Sequence, residues 1–136
     1  MLGSHPIEGI DAITFDASHP ASLARFWCEV LPDFEIAPYD DEEIARLKST
    51  GVDDVEDDPG VLVLSRTTGF RLFFQKVPEG RAAKSRVHLD VNLRDRAHLD
   101  RLVEIGATVV QEWDDGGGAW MLDPQGNDFC ARLPTE

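Results

Sequence analysis

Arg86-Val-His-Leu-Asp-Val-Asn92 alternates, with Val87, Leu89 and Val91 on one side and Arg86, His88 and Asp90 on the other. Period-two alternation predicts a strand with one buried face. Working outward, Asp95 stands where a helix cap belongs, and a helix is expected over about 96–105 with Leu99, Leu102 and Val103 as its apolar stripe. Gly106 ends it. Strands are expected at about 107–113 and 119–123, and Pro124-Gln-Gly-Asn127 is a turn because Gly126 and Asn127 tolerate positive φ. A last strand, 128–133, sets Phe129, Ala131 and Leu133 on one face and Asp128, Cys130 and Arg132 on the other. This half reads strand, helix, strand, strand, strand.

The other half echoes it. Residues 11–17 alternate, with Ile13 and Phe15 opposite Ala12, Thr14 and Asp16. A helix is expected over about 20–31, capped by Ser18 or His19, with Leu23, Phe26, Trp27 and Val30 on one stripe and Pro32 as its stop. Strands at 61–65 and 70–75 follow, and the second puts Phe70, Leu72 and Phe74 opposite Arg71, Phe73 and Gln75. Leu23-Ala-Arg-Phe-Trp and Leu99-Asp-Arg-Leu-Val share a helical skeleton. The chain is therefore one α+β domain of two tandem βαβββ modules: module one about 9–77, a Pro/Gly linker 78–85, module two about 86–134.

The composition narrows the functional classes. The chain has 136 residues, 13 Lys+Arg against 26 Asp+Glu, and a formal net charge of −13. That acidity argues against nucleic acid as a partner, since phosphate backbones demand Lys and Arg. No apolar run approaches the ~18 residues a membrane span needs, so no membrane partner is expected. The first residues lack a charged-then-apolar leader pattern, and Cys28 and Cys130 make no disulfide framework, so a reduced cytoplasmic setting is the expectation.

Residues 38–60 crowd nine carboxylates, Asp40 to Glu43 and Asp53 to Asp58 among them, against Arg46 and Lys48. A short helix over 42–49 and a solvated surface are expected there. The spacing does not match a calcium-binding EF-hand loop. Lys76, Arg81, Lys84 and Arg86 form a small basic stretch, expected to be solvated linker.

The apolar strand faces must pack on the two amphipathic helices. The opposite faces hold Asp16, Gln75, Arg86, His88, Asp90 and Cys130, among others. Such faces ordinarily meet water. Alternatively two curved sheets line a cup, with Phe73 and Trp120 as walls, and a cup of this kind is a small-molecule site.

These pieces together resemble the vicinal oxygen chelate superfamily, which includes glyoxalases, bleomycin-resistance proteins and extradiol dioxygenases, and most of all its glyoxalase-like branch. The resemblance rests on Ile13-Thr-Phe-Asp-Ala17 with Pro20 and Phe26-Trp27, on Phe73-Phe-Gln-Lys-Val77-Pro, on Arg86-Val-His-Leu-Asp90, on Gly106-Ala107, and on Asp123-Pro-Gln-Gly-Asn-Asp-Phe-Cys130. It implies a curved, cup-like mixed sheet with the helices outside, and a homodimer. The family's metal enzymes place a ligand on the first and last strand of each module. Carried across, those positions are Ala12 and His88, then Phe73 or Gln75, and Cys130. His88 alone is a ligand type in its expected place, so no metal or other cofactor is expected.

The leading expectation is a small-molecule site in the cup without the usual divalent metal. It would sequester a ligand or run acid–base chemistry with His88 and Asp90 as catalytic residues, while Gln75, Phe73, Trp120, Cys130, Asp16 and Arg86 bind the substrate. One alternative is a metal-dependent lyase or dioxygenase with a divergent ligand set. The other is a non-catalytic interaction module that works through the acidic 38–60 segment.

Overall fold

The computed structural model describes Pro6 and residues 9–81 and 83–134. Module one contains β1 (Ala12–Ala17), α1 (Pro20–Val30), β2 (Phe34–Ile36), α2 (Asp41–Ser49), β3 (Gly60–Ser65) and β4 (Arg71–Lys76). Module two contains β5 (Leu89–Asn92), α3 (Arg96–Glu104), β6 (Thr108–Glu112), β7 (Gly118–Leu122) and β8 (Asp128–Arg132). Each module folds into one four-stranded mixed sheet, in the orders β1-β4-β3-β2 and β5-β8-β7-β6. The first and last strands of each module pair in parallel, and the remaining pairs are antiparallel. The duplicated α+β fold expected from the alternation is therefore present. Among the described residues no helix is long and apolar enough to cross a membrane.

The two modules correspond in sequence as well as in topology. His19 caps α1 by accepting from Ser22 N, and Asp95 caps α3 by accepting from His98 N. Both caps lie four residues ahead of a buried leucine, Leu23 and Leu99. The offset between the modules is therefore 76 residues at cap and core alike.

The core lies between the helices and the apolar faces of both sheets. Phe15, Leu72, Phe74, Phe129, Ala131 and Met121 fill it from the strands. Trp27 is fully buried and forms the junction of the modules. Its ring meets Phe129 of β8 edge-on at 5.1 Å and Phe15 of β1 at 5.4 Å. Such aromatic pairs add about 0.5–1.5 kcal/mol each beyond their burial. The turn after β7 completes the junction. Gln125 Oε1 accepts from Ser18 N at 2.8 Å, and Asn127 Nδ2 donates to Asp16 O at 3.2 Å.

Three sequence expectations need revision. β2 is an additional strand: its three residues carry too little alternation to stand out, and only pairing with β3 defines it. β5 begins at Leu89, so Arg86 and Val87 lie in a bend ahead of it, and Val87 is 80% exposed rather than buried beside Leu89. The linker is not simply solvated. Arg81 Nη2 and Ser85 N both donate to Asp128, and Lys84 Nζ sits 4.6 Å over the Trp120 ring.

Candidate functional site

The polar face of module two gathers three donor side chains. His88 immediately precedes β5, Asp90 lies on it, and Cys130 lies opposite Asp90 in the parallel β5–β8 ladder. Two residues apart in extended chain, His88 and Asp90 point the same way. His88 Nδ1 lies 3.0 Å from Asp90 Oδ1. Ligand atoms of His88, Asp90 and Cys130 all fall within 4.8 Å of one another. An ionised carboxylate only accepts, so this contact puts the proton on Nδ1 and leaves Nε2 for a ligand.

The neighbours set the charge. Arg132 Nη2 reaches Asp90 Oδ2 at 3.4 Å and its guanidinium lies 5.4 Å from the Trp113 ring centre. Arg132, which the sequence reading puts on the face of Cys130 but not among the candidate site residues, thus reaches Asp90. Alternation gives the shared face, and the contact with Asp90 follows from the β5–β8 pairing. Burial pushes the Cys130 thiol above its ordinary value, Asp90 adds to that, and Lys84 and Arg132 oppose it. The thiol is thus protonated at neutral pH and is not poised as a nucleophile.

The other expected site residues fall in two further groups. Gln75 Nε2 donates to Asp16 Oδ1 at 2.8 Å on module one. Phe73, on the same face, lies over Gly60, where a Cβ would come within 2.7 Å of its ring. Trp120 Nε1 donates to the buried Asp128 at 2.6 Å, so its polar edge is already engaged. Arg86 is exposed in the bend before β5. Asp16 and His88 both line a cleft of about 170 Å³ at the seam of the two sheets, with Thr14, Ser85 and Asp128. Ile13, Phe15 and Leu89 line it too, while Gln75, Asp90 and Cys130 lie outside it on their own modules' ladders.

The acidic segment is largely committed to its own fold. Asp40 caps α2, and Asp54 caps the turn of 3-10 helix at Val55–Asp57. Glu43 pairs with Arg46, and Glu56 pairs with Arg25 through two hydrogen bonds at 2.8 and 2.6 Å. Asp58 is buried and accepts from Tyr39 Oη and Gly60 N. Asp41, Glu42, Asp53 and Asp57 remain exposed, with no side-chain partner among the described residues.

The sequence profile of the family described as Glyoxalase-like domain matches residues 12–132. The chain belongs to this family, within the vicinal oxygen chelate superfamily. No match was found among curated proteins. Solved structures share its fold. A fosfomycin resistance protein, FosX, from Mesorhizobium loti is 19% identical with a TM-score of 0.60, covering 95% of this chain and 94% of that one. A mutant of FosX from Listeria monocytogenes, complexed with Mn(II) and 1S,2S-dihydroxypropylphosphonic acid, is 13% identical with a TM-score of 0.57, covering 95% and 94%. The trypanothione-dependent glyoxalase I of Leishmania major is 13% identical with a TM-score of 0.56, covering 92% and 86%.

The register of this glyoxalase-like domain resolves which residues hold the four family ligand positions. With the 76-residue offset, Thr14 corresponds to Asp90. Thr14 pairs with Phe73 as Asp90 pairs with Cys130. Phe73, not Gln75, is therefore the counterpart of Cys130, and Ala12 is the counterpart of His88. A phenyl ring and a methyl group cannot ligate, so module one does not fit the family's metal centre. Module two does supply donors, with Asp90 as an additional one.

Proposed function

We propose that this glyoxalase-like domain binds a small molecule at the seam and polar face around His88, Asp90 and Cys130, without the two-module metal centre of its superfamily. The convergence of those three side chains, opposite a module that holds Ala12 and Phe73 at the matching positions, carries the reading. His88 Nε2 is the group that accepts a proton or a hydrogen bond from the ligand. Asp90 holds the ring and supports its positive charge, as carboxylates do for catalytic imidazoles. Arg132 favours an anionic or enolic oxygen in the bound molecule. The site serves sequestration if the ligand has no labile proton, and proton transfer if it has one. Screening a library of oxo acids, hydroxamates and phosphonates by thermal shift tests it. Hits should weaken at least tenfold in His88→Ala and in Asp90→Asn, and hits indifferent to both would overturn it.

One observation favours a second reading. Nitrogen, oxygen and sulfur donors within 4.8 Å of one another suit a three-ligand Zn²⁺ site with an open position. Bound zinc would supply Lewis acidity there. Calorimetric titration with Zn²⁺ decides it: a stoichiometric site lost in both His88→Ala and Cys130→Ala supports this reading, and no heat above background removes it.

A further inference from the structure

A second cleft, of about 440 Å³ and sharing no lining residue with the seam, opens between the end of α1, the strand end of β5 and α3. Its floor is apolar. Val91, Leu93 and Leu102 are buried in it, and Val30 and Ile105 flank them. Its rim is basic. Arg94, His98 and Arg101 line it against one carboxylate, Glu29.

In a chain of net charge −13, two arginines and a histidine line this cleft with Glu29, and two further carboxylates border it, Asp95 against His98 and Glu104 against Arg101. Among the described residues Arg94 has no ion-pair partner. Arg101 has only a 3.4 Å contact with the exposed Glu104. His98 gives Nδ1 to Asp95 at 2.7 Å, which leaves Nε2 for another group. Guanidinium groups above a buried aliphatic floor match a ligand with a carboxylate head and an apolar body. The volume lies in the range of small-molecule pockets, about 300–1,000 Å³.

We propose that the α1–α3 cleft is a second binding site, for an amphiphilic organic anion of the medium-chain carboxylate class. The carboxylate lies between Arg94 and Arg101, and the chain lies over Val91, Leu93 and Leu102. Nothing in this site depends on the seam around His88.

Octanoate, octan-1-ol and octylamine serve as anionic, neutral and cationic probes of one chain length. In ¹H–¹⁵N correlation spectra, octanoate should shift amides of residues 91–94 and 98–105 and leave those of 128–132 in place. Arg94→Gln with Arg101→Gln should weaken octanoate at least tenfold, the scale of losing a charge-assisted contact, without weakening octanol. The exposed arginines can be replaced without touching the core, and an unchanged melting temperature verifies that. His88→Ala should leave octanoate affinity unaltered, which separates this site from the seam. Octylamine binding as well as octanoate, shifts centred on His88 and Cys130, or no binding at millimolar octanoate would each overturn the proposal. So would concentration-dependent broadening of the same amides without ligand, since a second copy would then cover the cleft.

Discussion

The indole Nε1 of Trp27, on the helix of module one, donates to the carboxylate of Asp123, in the turn of module two, at 3.0 Å. Both residues are buried. Asp123 is the acceptor at the centre of that turn: Gln125 N, Asn127 N and Asn127 Nδ2 also donate to it. The contact joins the aromatic junction of the core to the loop that holds the two modules in register. Trp27→Phe keeps most of the apolar surface and leaves one carboxylate oxygen short of a donor. It should cost about 1–3 kcal/mol in urea unfolding, and Trp27→Ala about 3–5 kcal/mol.

Two buried carboxylates should give opposite pH signatures. Burial raises the Asp123 carboxyl above its ordinary 3.8, against the lowering effect of its donors. The folded state then holds the proton more tightly than the unfolded chain, so its contribution weakens as pH rises from about 3.8 through the folded value. Burial also opposes the charge of Asp128. Ser85 N, Arg81, Trp120 and Ser85 Oγ outweigh it and hold that carboxyl well below 3.8. Its contribution is complete above the unfolded value and is lost as pH falls below 3.8 toward the folded value. Stability–pH curves of Asp128→Asn should be flatter on the acid side than wild type, and those of Asp123→Asn should lose part of the decline above pH 3.8. A wild-type acid limb retained in Asp128→Asn would show that the linker clamp is not its source.

Thiol reactivity reports on the site directly. In a Cys28→Ala background, Cys130 should alkylate more slowly with iodoacetamide at about pH 8 than a free cysteine, because burial and Asp90 raise it. Asp90→Asn removes the nearby negative charge and should speed that alkylation several-fold. An unchanged rate would mean that Asp90 does not face the sulfur.

Two glycines should behave differently. A Cβ on Gly118 would meet the backbone oxygen of Ala131 at 2.2 Å, and its φ of 152° lies in the region that favours glycine. Gly118→Ala should therefore open the β7–β8 pairing and cost about 2–4 kcal/mol. A Cβ on Gly60 meets only the far edge of the Phe73 ring. Gly60→Ala should fold with little loss and displace that ring, a change visible as shifted aromatic resonances of Phe73.

Element order and the internal duplication are legible in the residues themselves, because strand and helix periods are properties of local spacing. His88, Asp90 and Cys130 are legible as candidates for the same reason: alternation puts them on a polar face. What they touch is not. The choice between Phe73 and Gln75 as the counterpart of Cys130 depends on the β1–β4 ladder, and pairing register is set by partners distant in the chain. Likewise, nothing local marks Asp128 as buried. A linker must return across β8 before Ser85 and Arg81 can exclude water from it. The α1–α3 cleft lies beyond reach for the same reason, since Arg94 and Arg101 share a rim only when α3 packs beside β5 and the end of α1. Sequence spacing decides which face a side chain takes. Only the packing of distant segments decides whether that face meets water, a partner or a ligand.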